Sequence, residues 1–129
     1  MDYWAVSGER SWAEQDELYA QGRTKPGKIV TNAKGGQSAH NFAVAVDFCA
    51  DKDVTRAGLQ PDWDVAKYGI LAEEAEKLGL EAGLRWKFMD APHIQLPLGK
   101  HGITLKILQD YYHQGGKKAV FAYLDKFQW

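Results

Sequence analysis

Two short stretches of this chain bring together residue types that can do hydrolytic chemistry. Residues 38–47 read SAHNFAVAVD and residues 90–93 read DAPH. They offer His40, Asp47 and His93, with Asp90 three positions before the second histidine. Two imidazoles and one carboxylate suit a zinc ion that keeps its fourth position for water. A further carboxylate can act as a base on that water. The H-x6-D spacing alone arises by chance, and so does D-x-x-H. Together, with Ser38 and the glycine-rich approach before it, they are moderately specific. The plain alternative makes His40 a loop histidine, Asp47 a strand-end carboxylate and His93 a hydrogen-bonded core residue.

A geometric condition follows. Fully extended, the chain from His40 to Asp47 would span roughly 23 Å at about 3.3 Å per residue. Two such distant side chains cannot share one ion. If both are ligands, residues 40–42 must fold back in a turn before the strand begins. That strand is expected over residues 43–48, with Val44, Val46 and Phe48 on one face and Ala43, Ala45 and Asp47 on the other. Pro92 biases Ala91 away from the helical region, so Asp90 and His93 should sit on a turn entering a strand over residues 93–96.

Around these segments the pattern predicts a small set of elements. A strand is expected over residues 3–6. Ser11 and Glu14 form an S-x-x-E capping box for a helix running to about Gln21 and stopping at Gly22. Residues 24–37 read as loop, with a strand candidate at residues 29–31. Tyr68, Leu71, Ala75 and Leu78 recur at helical spacing in a helix over residues 64–78, capped by Gly79. Residues 84–88 read as a strand or extended segment. Two helical patterns, residues 104–112 and 117–127, flank Gly115-Gly116, and Val120, Leu124 and Phe127 share a face of the second. Strands and helices without regular alternation give an α+β class with a small, mainly antiparallel sheet packed with helices.

The 129 residues are enough for one domain, expected to span residues 1–129. With 45% apolar and 26% charged residues the composition is that of a soluble globular protein. A net charge of −1 gives no basic field for nucleic acid. One cysteine, Cys49, excludes an internal disulfide framework and a multi-cysteine zinc site. No apolar run is long enough to span a membrane, and the first residues lack the pattern of a secretory signal. The chain as given is therefore expected to stay in the cytoplasm unless something else releases it, and a monomer acting on neither nucleic acid nor membrane is expected.

The stretches SGERSWAEQDELYAQGRTKPGKIVTNAKGGQSAHNFAVAVDF and RWKFMDAPHIQ resemble the zinc peptidases of the D-alanyl-D-alanine carboxypeptidase and L-alanyl-D-glutamate endopeptidase family. The resemblance runs from residue 7 to about residue 95, roughly two thirds of the chain. The LYAQGRT-x-PG wording most resembles the endopeptidase branch, which includes phage endolysins and bacterial cell-wall hydrolases. The resemblance implies a hedgehog/DD-peptidase-like fold with its zinc site at the sheet. It implies Zn2+ held by His40, Asp47 and His93, and Asp90 as the catalytic carboxylate. It places Arg10 opposite the scissile carbonyl, Ser38 near the substrate and Gln15 in the supporting shell. The implied partner is the peptidoglycan stem peptide, cut at the L-alanyl-D-glutamate bond, with a phage endolysin as the biological setting. A D,D- or L,D-carboxypeptidase of the same fold, or a non-catalytic zinc domain, are the alternatives.

Two features depart from the family. Ala43 stands where relatives usually have glycine. Relatives also commonly carry a segment before the SG-x-RS stretch, which only six residues precede here, as in a minimal or trimmed catalytic domain. Other residues carry weaker signals. Trp86, four positions before Asp90, could line a substrate cleft or simply pack. Packing roles are expected for Cys49, Trp4, Trp12, Trp63 and Trp129, surface or packing roles for His101 and His113, and a solvated pair for Lys117 and Lys118.

Overall fold

The computed structural model describes residues 2–129. The chain divides into two compact units, one formed by the residues up to Gly8 and Ala45–Pro97, the other by Glu9–Val44 and Leu98–Trp129.

The first unit carries the sheet. Its strands are β1 (Tyr3–Ser7), β2 (Ala45–Asp51), β3 (Pro61–Asp62), β4 (Glu81–Ala82) and β5 (His93–Gln95). The order is β1-β2-β5-β4, every pairing is antiparallel, and β3 pairs with β2 at Ala50 and Asp51. This is the small antiparallel sheet of the expected α+β class. Helix α2 (Gly69–Lys77) lays Ala72 and Ala75 against Ala82 and Ile94, with Phe48, Leu71, Leu80 and Leu84 around them. The small alanines let the helix approach the short strands closely, and their burial is driven by removal of apolar surface from water.

The helix expected over residues 64–78 is interrupted. Residues Val65–Lys67 form a 3-10 turn capped by Asp64, and α2 starts only at Gly69. The break falls at Tyr68, which is completely buried. Its hydroxyl donates to the Asp62 carbonyl at 2.8 Å and accepts the Ala50 N–H at 3.1 Å. A buried hydroxyl must be satisfied, and this tertiary demand overrides the helical pattern. Gly79 follows α2 at φ +79°, as a C-terminal glycine should.

The strand or extended segment expected over residues 84–88 is instead a turn followed by bends. Gly83–Arg85 is a 3-10 turn, and the Gly83 carbonyl accepts N–H groups from Trp86 and Asp90 at 3.2 and 3.0 Å. A Cβ on Gly83 would lie 2.2 Å from the Asp90 carbonyl oxygen, so only glycine lets the two backbones meet.

The second unit holds α1 (Trp12–Ala20) and α3 (Leu105–Leu124). The Ser11–Glu14 capping box is present in both directions, at 3.0 and 3.1 Å. Helix α3 is kinked at Gly115 and Gly116, whose backbones are non-helical. This is the break between the two expected helical patterns. Val120 and Leu124 are buried, but the helix ends before Phe127. Residues 29–31 form no strand, and Ile29 and Val30 are more than half exposed. Of the tryptophans, Trp12 packs, stacking on Tyr112 at 4.4 Å, whereas Trp4, Trp63 and Trp129 are exposed. Cys49 is fully buried, His101 lies against Phe127 and Trp129, and Lys117 pairs with Glu9. Among the described residues no helix is long and apolar enough to cross a membrane.

Residues Ala39–Phe42 make the turn that the reach argument required, as a buried 3-10 helix. It closes on Ala43 in the left-handed conformation, φ 57° and ψ 30°. Ala43 is the one non-glycine residue with positive φ among the described residues. A side chain there costs roughly 1–2 kcal/mol, offset by the ~0.4–1 kcal/mol that a glycine loses through its freer unfolded chain. Ala43→Gly should therefore stabilise the fold by about 0.5–1 kcal/mol. A higher denaturant midpoint with an unchanged slope is the expected measurement; a lower midpoint contradicts it.

Candidate metal centre

Asp47 and His93 are brought together by strand register. They stand directly opposite each other on β2 and β5, so their side chains share one face at cross-strand contact distance. His93 Nδ1 lies 3.2 Å from Asp47 Oδ1 and 3.7 Å from Asp90 Oδ2. The Asp90–His93 turn is closed by the His93 N–H donating to the Asp90 carbonyl at 3.0 Å, as Pro92 led one to expect. His93 is 6% exposed, while the Asp90 side chain is about half exposed at 54%. The ligand candidate is thus withdrawn from water and the base candidate is open to it.

The far nitrogen of His93 has its own partner, one that sequence reasoning missed. Nε2–H donates to Gln95 Oε1 at 2.8 Å, and Gln95 Nε2 donates to Glu81 Oε2 at 3.0 Å. Glu81 faces Gln95 across β4 and β5, and its carboxylate fixes which end of the amide points at the ring. That tautomer leaves Nδ1 for a metal. The H-x-Q alternation on a strand was the available signal. Partners of this kind typically hold metal affinity within a factor of about 10–100. Gln95→Leu should weaken zinc binding by that order in a chelator competition, with the protein still folded; unchanged affinity would free Gln95 of the role.

Burial by itself would lower the His93 pKa. The hydrogen bonds from Asp47 and Gln95, joined by the charges of Asp47 and Asp90, outweigh it and raise the value above that of an ordinary imidazole. A metal must displace that proton, so binding weakens as pH falls.

His40 sits in the 3-10 turn at 4% exposure. Ser38 caps this turn, its Oγ accepting the His40 N–H at 3.3 Å. Asn41, fully buried, is the second residue that sequence reasoning missed. Its Oδ1 accepts N–H groups of Gly36 and Ser38 at 3.0 and 3.1 Å, and its Nδ2 donates to the Arg10 carbonyl at 3.0 Å. The Arg10 N–H in turn donates to the His40 carbonyl at 2.9 Å. The arginine is therefore anchored to the histidine turn by its backbone. Its guanidinium is set by Gln15, which is completely buried and accepts from Arg10 Nη1 at 2.9 Å. Gln15 Nε2 donates to the Ala33 carbonyl at 2.8 Å, so the amide cannot turn. Gln15 thus orients the Arg10 guanidinium. Trp86 lies against the His93 ring, centroids 5.0 Å apart.

One donor atom from each of His40, Asp47 and His93 lies within 4.8 Å of the others, a group that could hold one metal ion. Two imidazoles and a carboxylate are a donor set that fits zinc and leaves a position open.

The sequence profile of the D-alanyl-D-alanine carboxypeptidase family matches residues 31–96, half of the chain. That range includes His40, Asp47, Asp90 and His93. The chain is also similar to the peptidoglycan L-alanyl-D-glutamate endopeptidase CwlK of Bacillus subtilis (strain 168), 42% identical over 102 residues. The alignment covers 74% of this chain and 61% of the relative, so the chain spans about three fifths of that protein's length. The profile match over half of the chain places it in the D-alanyl-D-alanine carboxypeptidase family.

Proposed function

We propose that this chain is a zinc peptidase that hydrolyses the L-alanyl-D-glutamate bond of the peptidoglycan stem. The observation that carries the reading is the donor set itself, two buried imidazoles and a carboxylate grouped within reach of one ion. The bond is the one named for the similar endopeptidase.

His40, Asp47 and His93 would hold the ion. Zinc in such a site supplies Lewis acidity, bringing the pKa of water toward neutrality and polarising a carbonyl. Asp90 accepts the proton that water loses as its oxygen bonds to the carbonyl carbon. It then delivers that proton to the departing nitrogen as the C–N bond breaks. Half exposure suits this task, because the carboxylate must meet both water and substrate. Arg10 turns its planar fork to the carbonyl oxygen and stabilises the charge that develops there. Phe88 and Met89, exposed immediately before Asp90, offer apolar surface to the bound stem. Ser38 and Trp86 border the same substrate.

The profile's own description favours a second reading, removal of a terminal D-alanine. A purely zinc-binding role requires neither Asp90 nor Arg10, and both are present. The biological setting in keeping with the proposal is a phage endolysin that acts on the wall as a monomer after release from the host cytoplasm. Mass spectrometry of digested peptidoglycan decides among these. New L-alanine C-termini and D-glutamate N-termini support the endopeptidase. Release of D-alanine alone supports the carboxypeptidase, and new reducing sugar ends oppose both.

A further inference from the structure

Arg10 is also one wall of a cavity of about 460 Å³, whose other lining residues have no role in the reaction just described. Its walls include Arg10, Glu14, Glu17 and Lys25, with Leu18 and Pro26 supplying apolar surface. Its volume is that of a small-molecule or short-peptide subsite. Arg10, one wall of the cavity, also donates its backbone N–H to the His40 carbonyl at 2.9 Å, which ties this wall to the turn that carries a candidate metal ligand.

The charges in the wall are not equivalent. The Glu14 carboxylate is already committed to the start of α1, accepting the Ser11 N–H at 3.1 Å. That bond also lowers its pKa, so it stays ionised and engaged. Glu17 and Lys25 form an ion pair with each other. Both side chains are more than half exposed, 67% and 52%. Such pairs are held weakly against water and can exchange partners. Of the two cations in the wall, Arg10 has the scissile carbonyl to attend to. Lys25, held only by this exposed pair with Glu17, is the cation that a substrate can recruit.

The substrate reading supplies a matching group. A glutamyl residue has two carboxyl groups. Whichever one continues the stem, the other is a free carboxylate within one residue of the scissile amide. Lys25 shares the cavity wall with Arg10 and is a cation that can pair with that carboxylate. We propose that this cavity is the subsite for the D-glutamyl residue, with Lys25 leaving Glu17 to bind its free carboxylate. The subsite would distinguish stems with a free acid from stems in which this group is amidated. The inference rests on the proposed peptidase reading.

The test compares two synthetic stem tripeptides, identical except that the glutamyl group is a carboxylate in one and a carboxamide in the other. The zinc-loaded whole chain should cleave the acid with a kcat/KM about tenfold or more above the amide, as expected for one charge-assisted hydrogen bond. In Lys25→Met the ratio should fall to near one. In Lys25→Arg, which keeps the charge, most of the ratio should survive. A role in folding alone would move both rates together and leave the ratio unchanged. Equal rates for acid and amide in the wild type, an unchanged ratio in Lys25→Met, or loss of the ratio in Lys25→Arg as well would each overturn the subsite. Cleavage of neither peptide would instead remove the peptidase reading, and this inference with it.

Discussion

Asp90→Ala should keep its zinc and lose turnover by a factor of about 10² or more, the usual contribution of a positioned general base. His93→Ala should lose the metal and, with it, all activity. The two residues lie three apart on one turn, yet the structure gives them different surroundings. His93 is 6% exposed, opposite Asp47 on the neighbouring strand, with its far nitrogen held by Gln95. Asp90 reaches from the turn with half of its side chain in solvent and lies 3.7 Å from the histidine. On the proposed reading the buried, oriented imidazole is the ligand, and the accessible carboxylate beside it carries the proton. Metal content and single-turnover rates on each variant separate the roles. Zinc lost from Asp90→Ala but kept by His93→Ala would mean that the roles are reversed.

Arg10→Lys should lower kcat by roughly 10²–10³, the range for loss of one oxyanion donor, with zinc occupancy unchanged. The charge is kept and only the geometry is lost. The Arg10 fork is fixed at both ends, by Gln15 at its guanidinium and by His40 and Asn41 at its backbone. Lysine can offer a charge there, but it cannot both bond Gln15 Oε1 and present a second N–H in the same plane. Buried Gln15 would also lose a partner, so a modest fall in stability should accompany the kinetic effect. Wild-type turnover in Arg10→Lys would remove Arg10 from the chemistry.

Much of the local structure was legible because its causes are local. Ser11 and Glu14 announce a helix start by their spacing, and both capping bonds are present. The turn at His40 followed from reach once His40 and Asp47 were taken to share one ion, since an extended chain could not return one to the other. Pro92 marked the turn that joins Asp90 to His93. The misreadings have tertiary causes. Residues 84–88 have the composition of a strand, but the Gly83 carbonyl takes the Asp90 N–H and bends the segment instead. Ile29 and Val30 have strand propensity but no neighbouring strand, and both remain exposed. Tyr68 breaks a helical pattern because its buried hydroxyl must reach Ala50 and Asp62. Asn41 was hidden for the same reason, because its amide bonds the Arg10 carbonyl far away in sequence. Gln95 was marked only by the H-x-Q alternation, and its second partner, Glu81, lies on another strand.

The most direct measurement of the metal centre is zinc K-edge X-ray absorption on the purified protein, with metal stoichiometry taken on the same sample. The expected result is one zinc per chain, bound by nitrogen and oxygen only. Two imidazoles should appear at about 2.0–2.1 Å and a carboxylate at about 2.0–2.2 Å. The signal should be lost in His93→Ala and kept in Asp90→Ala. A zinc–sulfur distance near ~2.3 Å would point to Cys49. That result, or protein that binds no zinc at all, would contradict a centre built from His40, Asp47 and His93.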